Sequence, residues 1–222
     1  MILSVSVQGF GISISLTDCF LLLKQVYSIL AFDFIYPLIA QFYAILPDIE
    51  INIYEEVLGG THEALTSNRA DLVIGVGVEA TPNQGINYQK MQQIEWIFAV
   101  APTHELTKAP LPLSQHTIEQ YRFIVVRDSS RQQAPQSHRI FNKRPVLRVP
   151  SLAEKIRAQC LGLGVGFLPA HRIQSLLAQG LLVVLPVEKL IPTDALHIAW
   201  KTSNSGKVLR WFIEQLSQHD VD

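Results

Sequence analysis

Two hydroxyl residues stand where ligand chemistry is feasible. Ser151 opens the run "SLAEKIRAQC", and Ser151 with Glu154 has the S-x-x-E spacing of a helix capping box. The free N–H groups and positive dipole end of such an entrance suit a carboxylate or another anion. Pro150 and Ser151 are therefore candidate ligand contacts; the competing reading is that Ser151 only caps its own helix. Gly59-Gly60-Thr61 opens a second helix, with Thr61 as its N-cap, and two glycines let a ligand approach the backbone closely. Gly60 and Thr61 join the candidates, against the reading of an ordinary turn. Pro102 and Thr103 follow a strand, and Ser129 ends another, where it is read as a ligand contact. Gly166 and Phe167 lie on a strand after Gly162, with Phe167 either walling a pocket or filling the core. His104 reads more readily as a solvated loop residue.

Catalytic constellations are missing. There is no G-x-S-x-G, no H-E-x-x-H and no P-loop, and "GLGVG" (Gly162 to Gly166) leads into a strand rather than a helix. The seven histidines show no metal-ligand spacing, and Cys19 and Cys160 are too far apart in sequence for a CxxC motif. No enzyme, metal or cofactor is expected.

The elements that position the candidates follow from periodicity. Tyr36-Pro37 starts a helix, "LIAQFYAIL", that is apolar nearly all round and predicts cover on both faces. "IEINIYEEV" alternates as a half-buried strand at a sheet edge, and "DLVIGVG" reads as a buried one. "IEWIFAVAP", "YRFIVV", "VLRV", "GVGFLP", "LLVVLPV" and "ALHIAWK" are further strands. "AHRIQSLLAQ" and "SGKVLRWFIEQL" are helices, the latter with Val208, Leu209, Phe212, Ile213 and Leu216 on one face. The alternation predicts an α/β fold with mainly parallel pairing. Arg131 to Pro145 is a polar excursion. Its basic residues Arg131, Arg139 and Lys143, with Arg127 and Arg144, outnumber Asp128 but read as a solvated loop.

Composition narrows the classes. The 222 residues are 48% hydrophobic and only 17% charged, so a large core is expected. A net charge of -1 leaves no overall electrostatic footprint for nucleic acid. Met1 to Leu23 carries no Lys or Arg, so it lacks the positive region of a secretory signal. Lys24, Gln25 and Asp33 interrupt the apolar run that follows. A cytoplasmic protein without a membrane partner is expected.

The run from Tyr36 to Leu216 resembles the effector-binding domain of LysR-type transcriptional regulators. Four segments carry the resemblance, in order: "PLIAQFYAILPDIEINIYE"; "GGTHEALTSNRADLVIGVG", with Asn68 where the family usually has Gly; "IEWIFAVAPTHEL", with Glu105 in place of a Pro; and "GLGVGFLPAHRI". The resemblance implies a two-lobed, type II periplasmic-binding-protein-like fold, each lobe a mainly parallel sheet flanked by helices. Residues 36–99 plus 200–222 would form lobe I and residues 100–199 lobe II, after an atypical segment 1–35 in which "VYSILAFDF" is the candidate first strand. It also implies a small-molecule effector in the interlobe cleft, an anion or aromatic carboxylate, and a homodimer. DNA would be engaged only through a helix-turn-helix, of which no trace precedes residue 35. The alternative is a solute-binding protein of a transport system.

Overall fold

A computed structural model describes residues 22–26 (backbone only), 35–77, 85–131, 145–189 and 193–218. The chain divides into two compact units. Unit 1 comprises residues 1–93, 129–135 and 195–222, and unit 2 residues 94–128 and 136–194. Two of the divisions fall inside two long strands, six residues before the expected Ala99-Val100 crossing and five before Ala199-Trp200. Ser129 belongs to unit 1, not to the second lobe.

Unit 1 is built on the sheet order β2-β1-β3-β9-β4. β1 (Leu22–Val26) pairs in parallel with β2 (Asn52–Tyr54) and β3 (Leu72–Gly77). β9 (Thr193–Lys201) runs antiparallel to β3, with Val73 opposite Ala199. β4 (Ile86–Val100) passes through both units. The first strand thus lies inside the segment 1–35, earlier than "VYSILAFDF", and residues 27–34 lie outside the described part. β2 is shorter than "IEINIYEEV" but does occupy the sheet edge. Helix α1 (Ile35–Ile45) buries Ile35, Leu38, Ile39 and Phe42, and Phe42 packs on Trp211 and Phe212 of α6 (Lys207–Gln218) at 4.9 and 5.0 Å. Its other face is not covered by the described residues: Tyr43 is 37% exposed and Ile45 59%. On a separate cluster, α2 (Gly59–Thr66) packs Ala64 and Leu65 against Val73, Val76 and Ala199.

Asn68 explains how the chain does without the usual glycine after α2. Its φ is +55°, the left-handed conformation that Asn tolerates better than other side chains. Its Oδ1 also accepts a hydrogen bond from Lys201 Nζ at 2.5 Å.

In unit 2 the second half of β4 is antiparallel to β7 (Gly166–Pro169), with Phe98 opposite Phe167 and Ala99 opposite Gly166, and to β8 (Val183–Val184). β5 (Ile124–Val126) and β6 (Leu147–Val149) pair in parallel. Pairing is parallel in β1–β2, β1–β3 and β5–β6, whereas β9 and β4, the strands that thread both units, enter antiparallel, β9 on β3 and β4 on β7 and β8. Helix α3 (Gln115–Ile118) is a single turn capped by Ser114. Helices α4 (Leu152–Cys160) and α5 (Ala170–Ala178) enclose a core of Ala99, Leu152, Ile156, Leu168, Ile173 and Leu182. Gly162 ends α4 with φ +71°. No helix among the described residues is long and apolar enough to cross a membrane.

Candidate functional site

The α2 entrance in unit 1 is a buried ionic network. Arg69 bridges Glu56 at 2.9 Å and Glu63 at 3.0 Å, and both carboxylates are buried. Ser129 Oγ donates to Glu56 Oε2 at 2.5 Å and accepts from Val57 N at 2.7 Å. The Arg131 backbone N–H donates to Glu63 Oε2 at 2.7 Å. One guanidinium thus ties two buried carboxylates together at this entrance.

Three expectations change here. Ser129 is engaged by Glu56 and Val57 and serves as a clamp within unit 1 rather than a second-lobe ligand contact. Gly60 is required for another reason than ligand approach: a Cβ there would strike Ser129 Oγ and come within 2.8 Å of Glu56 Oε2. Thr61 is not the N-cap; that position belongs to Leu58, at φ +52°, and Thr61 lies inside the first turn. The Thr61 hydroxyl is nevertheless 0% exposed and has no hydrogen-bond partner among the described residues. An unmatched buried hydroxyl costs about 1–3 kcal/mol, so it is a group in want of a partner.

The α4 entrance in unit 2 is simpler. Ser151 Oγ accepts from Glu154 N at 3.3 Å, so it is the N-cap. The reciprocal arm of the capping box is replaced, because Glu154 Oε1 pairs with Arg157 at 3.4 Å. Pro150 is exposed and Ser151 half-buried. Pro102 and Thr103 are exposed just after β4. His104 Nδ1 accepts from Leu106 N at 3.2 Å and caps a short 3-10 turn, Glu105–Lys108. Burial lowers its pKa, opposed by Glu105.

β7 separates two candidates by its period of two. Phe167 turns to Phe98 (5.2 Å, edge-on) and is buried, so it is a core residue and not a pocket wall. Gly166 faces α4, where a Cβ would stand 3.2 Å from Lys155 Cε and 3.3 Å from Lys155 Nζ. Sequence reasoning passed over Lys155. Its only sequence signal is a cation four residues past an N-cap, which is common on solvated helices.

Asp71 lies at the start of β3 in unit 1. Burial pushes its pKa up to about 7, against the lowering effects of the Asn204 hydrogen bond and of Lys201. Its other oxygen has no partner among the described residues. The folded state therefore holds this proton more tightly than the unfolded chain, and stability attached to it is lost as pH rises from about 4 through about 7. Asp71→Asn is expected to raise stability at pH 8 by about 1–2 kcal/mol, discounted for partial exposure, and to give no gain at pH 4. Urea denaturation at both pH values checks this.

No group of His, Cys, Asp and Glu residues suited to a metal occurs among the described residues.

Two units built on one shared strand pair define the class of two-lobed, type II periplasmic-binding-protein-like α/β domains. The chain belongs to the LysR family: residues 26–220 match the LysR substrate binding domain. It is 29% identical over 185 residues to the uncharacterized HTH-type transcriptional regulator YeeY of Escherichia coli, covering 83% of this chain and 60% of that protein. It is 30% identical over 181 residues to the probable HTH-type transcriptional regulator YhaJ of E. coli, covering 82% and 60%. The chain thus spans about three fifths of the length of these relatives. Among solved structures, the regulatory domain of MetR from N. meningitidis superposes with a TM-score of 0.65 at 18% identity, covering 88% of this chain and 89% of that one. The regulatory domain of Synechocystis CcmR in complex with 2-PG gives 0.64 at 18%, covering 88% and 94%.

Proposed function

We propose that this effector-binding domain senses a small anionic ligand, an organic carboxylate, and transmits its binding through a homodimer of a cytoplasmic transcriptional regulator. The observation that carries the reading is the match to the LysR substrate binding domain across nearly the whole chain. The α4 entrance in unit 2 supports the anionic class, since its capping leaves a positive helix end next to the exposed Pro150. In unit 1 the buried, unmatched Thr61 hydroxyl supports a neutral contact. A regulatory domain of this fold solved in complex with 2-PG adds a precedent for a small ligand.

The uncovered face of α1 supports the dimer. Tyr43 and Ile45 would pack against a partner copy's α4, so that a ligand at the α4 entrance biases dimer geometry. A transport role has less in its favour, because both curated relatives are named as transcriptional regulators.

The test is a thermal-shift panel of small carboxylates followed by calorimetry on the best binder. Ser151→Ala and Thr61→Ala should each weaken binding by about 1 kcal/mol. Tyr43→Glu should turn a dimer into a folded monomer in light scattering. Variants that lose stability yet bind normally would show these residues to be purely structural. A wild-type monomer at tens of micromolar would remove the dimer from the scheme.

A further inference from the structure

We propose that Lys155 is the residue of unit 2 that anchors the carboxylate of the effector, and that Gly166 is the specificity element that makes room for it. The inference rests on the sensing role proposed above and names the chemistry of its anion site.

The geometry is unusual for a lysine. A helical lysine normally lays its stem along apolar surface and holds its ammonium in water. Here the ammonium lies over the Gly166 backbone, at the spot where any side chain on that residue would begin. The Ile124 carbonyl oxygen borders the same spot, 3.3 Å from the Cβ position. The Lys155 ammonium makes no hydrogen bond or ion pair among the described residues. Its neighbour Glu154 is taken by Arg157. β5 and β7 carry no titratable side chain, β6 contributes only exposed Arg148 and the unit 2 half of β4 only exposed Glu95, and α5 brings His171 and Arg172. Burial alone lowers the Lys155 pKa to about 8, with no acid nearby to hold it up.

A second observation points the same way. One turn further along α4, on the same face, Gln159 is 0% exposed. Its Nε2 donates to Ala99 O at 2.8 Å and to Gly166 O at 3.2 Å, which pins the backbone beneath Lys155. Its Oε1 has no partner among the described residues. An unmatched cation over a pinned backbone is costly in the free protein and is relieved by an anion. Glycine at 166 gives it that room: with alanine there, Lys155 Cε and Nζ, at 3.2 and 3.3 Å from the new Cβ, would have to give by a few tenths of an ångström.

The test follows Lys155 itself. The full chain is labelled with 13C at lysine Cε, and the Lys155 signal is assigned by its loss in Lys155→Arg. Acetate and L-lactate are titrated to about 50 mM, the range in which single-carboxylate contacts register, with chloride as the ionic-strength control. Both probes should move the Lys155 signal saturably at pH 7, and chloride should not. An anion that binds the protonated amine raises its pKa, so affinity should fall about tenfold per pH unit above about 8. Gly166→Ala, folded by circular dichroism, should lose the response. A Lys155 signal that ignores both probes, or a Lys155→Met variant that binds them with unchanged affinity, overturns the anchor. Binding that survives in Lys155→Met leaves the sensing role standing and moves its anion site elsewhere.

Discussion

Arg69→Met is expected to be the most damaging single change in unit 1, costing about 3–5 kcal/mol. Arg69 is the one cation paired with both Glu56 and Glu63 among the described residues, at 2.9 and 3.0 Å. Removing it takes the guanidinium from two buried carboxylates, and breaking a buried pair is far costlier than losing a surface one. Glu56 keeps the Ser129 hydroxyl, and Glu63 keeps the Arg131 N–H, but neither donor carries a charge. Arg69→Lys should recover only part of the loss, because one ammonium cannot reach two carboxylates in the fork geometry of a guanidinium. The rescue that identifies the mechanism is Glu56→Gln with Glu63→Gln in the Arg69→Met background. Chemical denaturation of the four proteins measures it. A loss under 1 kcal/mol in Arg69→Met, or no recovery in the triple variant, would mean that the network is better solvated than its geometry indicates.

Gly60→Ala is the second large effect, expected at about 3 kcal/mol. The new methyl group would meet Ser129 Oγ, Glu56 Oε2 at 2.8 Å and the Ser129 backbone carbon at 2.9 Å. The hydroxyl could swing away, but then Val57 N and Glu56 both lose a partner. The backbone carbon cannot move without displacing Arg131 from Glu63. Ser129→Ala alone should cost about 1–2 kcal/mol for its hydrogen bonds. The double variant should cost less than the sum of the two, since the hydroxyl is already gone when the methyl group arrives. Strict additivity in a double-mutant cycle would disprove the clamp.

Both predictions concern the α2 entrance, and their joint reading separates structure from sensing. If Gly60 and Ser129 serve the clamp, their variants weaken ligand binding only as far as unit 1 loosens. Lys155 has the opposite signature. Its lowered pKa means that stability attached to it is present above about 10.5 and lost as pH falls through about 8. Lys155→Met should therefore stabilise the ligand-free domain near neutral pH while abolishing carboxylate binding, the trade expected of a residue kept for function.

Local pattern was enough for several of the elements. The S-x-x-E spacing placed the α4 N-cap on Ser151, and Gly162 marked the α4 end at a left-handed residue, because caps are set by groups within a few residues of one another. The α6 stripe put Val208, Leu209, Phe212 and Leu216 in the core for the same reason: helical period alone decides which face is apolar. Motif order identified the family and its fold.

Tertiary structure decided what those local signals left open. Ser129 reads as a strand-end hydroxyl, yet it clamps residues 72 and 73 positions earlier in the chain. Phe167 and Gly166 are neighbours in sequence but lie on opposite faces of β7, so one fills the core and the other floors a lysine. Thr61 looks like a cap until the helix begins two residues earlier and buries its hydroxyl. Lys155 has the type and spacing of a solvated helix residue, and only the tertiary structure sets its half-buried ammonium where a Cβ of Gly166, eleven positions on, would stand. Each of these depends on which distant backbone approaches which face, and periodicity carries no information about that. Sequence settles what a segment wants to bury; the long-range pairing settles which polar groups are left without a partner, and those are the groups available to a ligand.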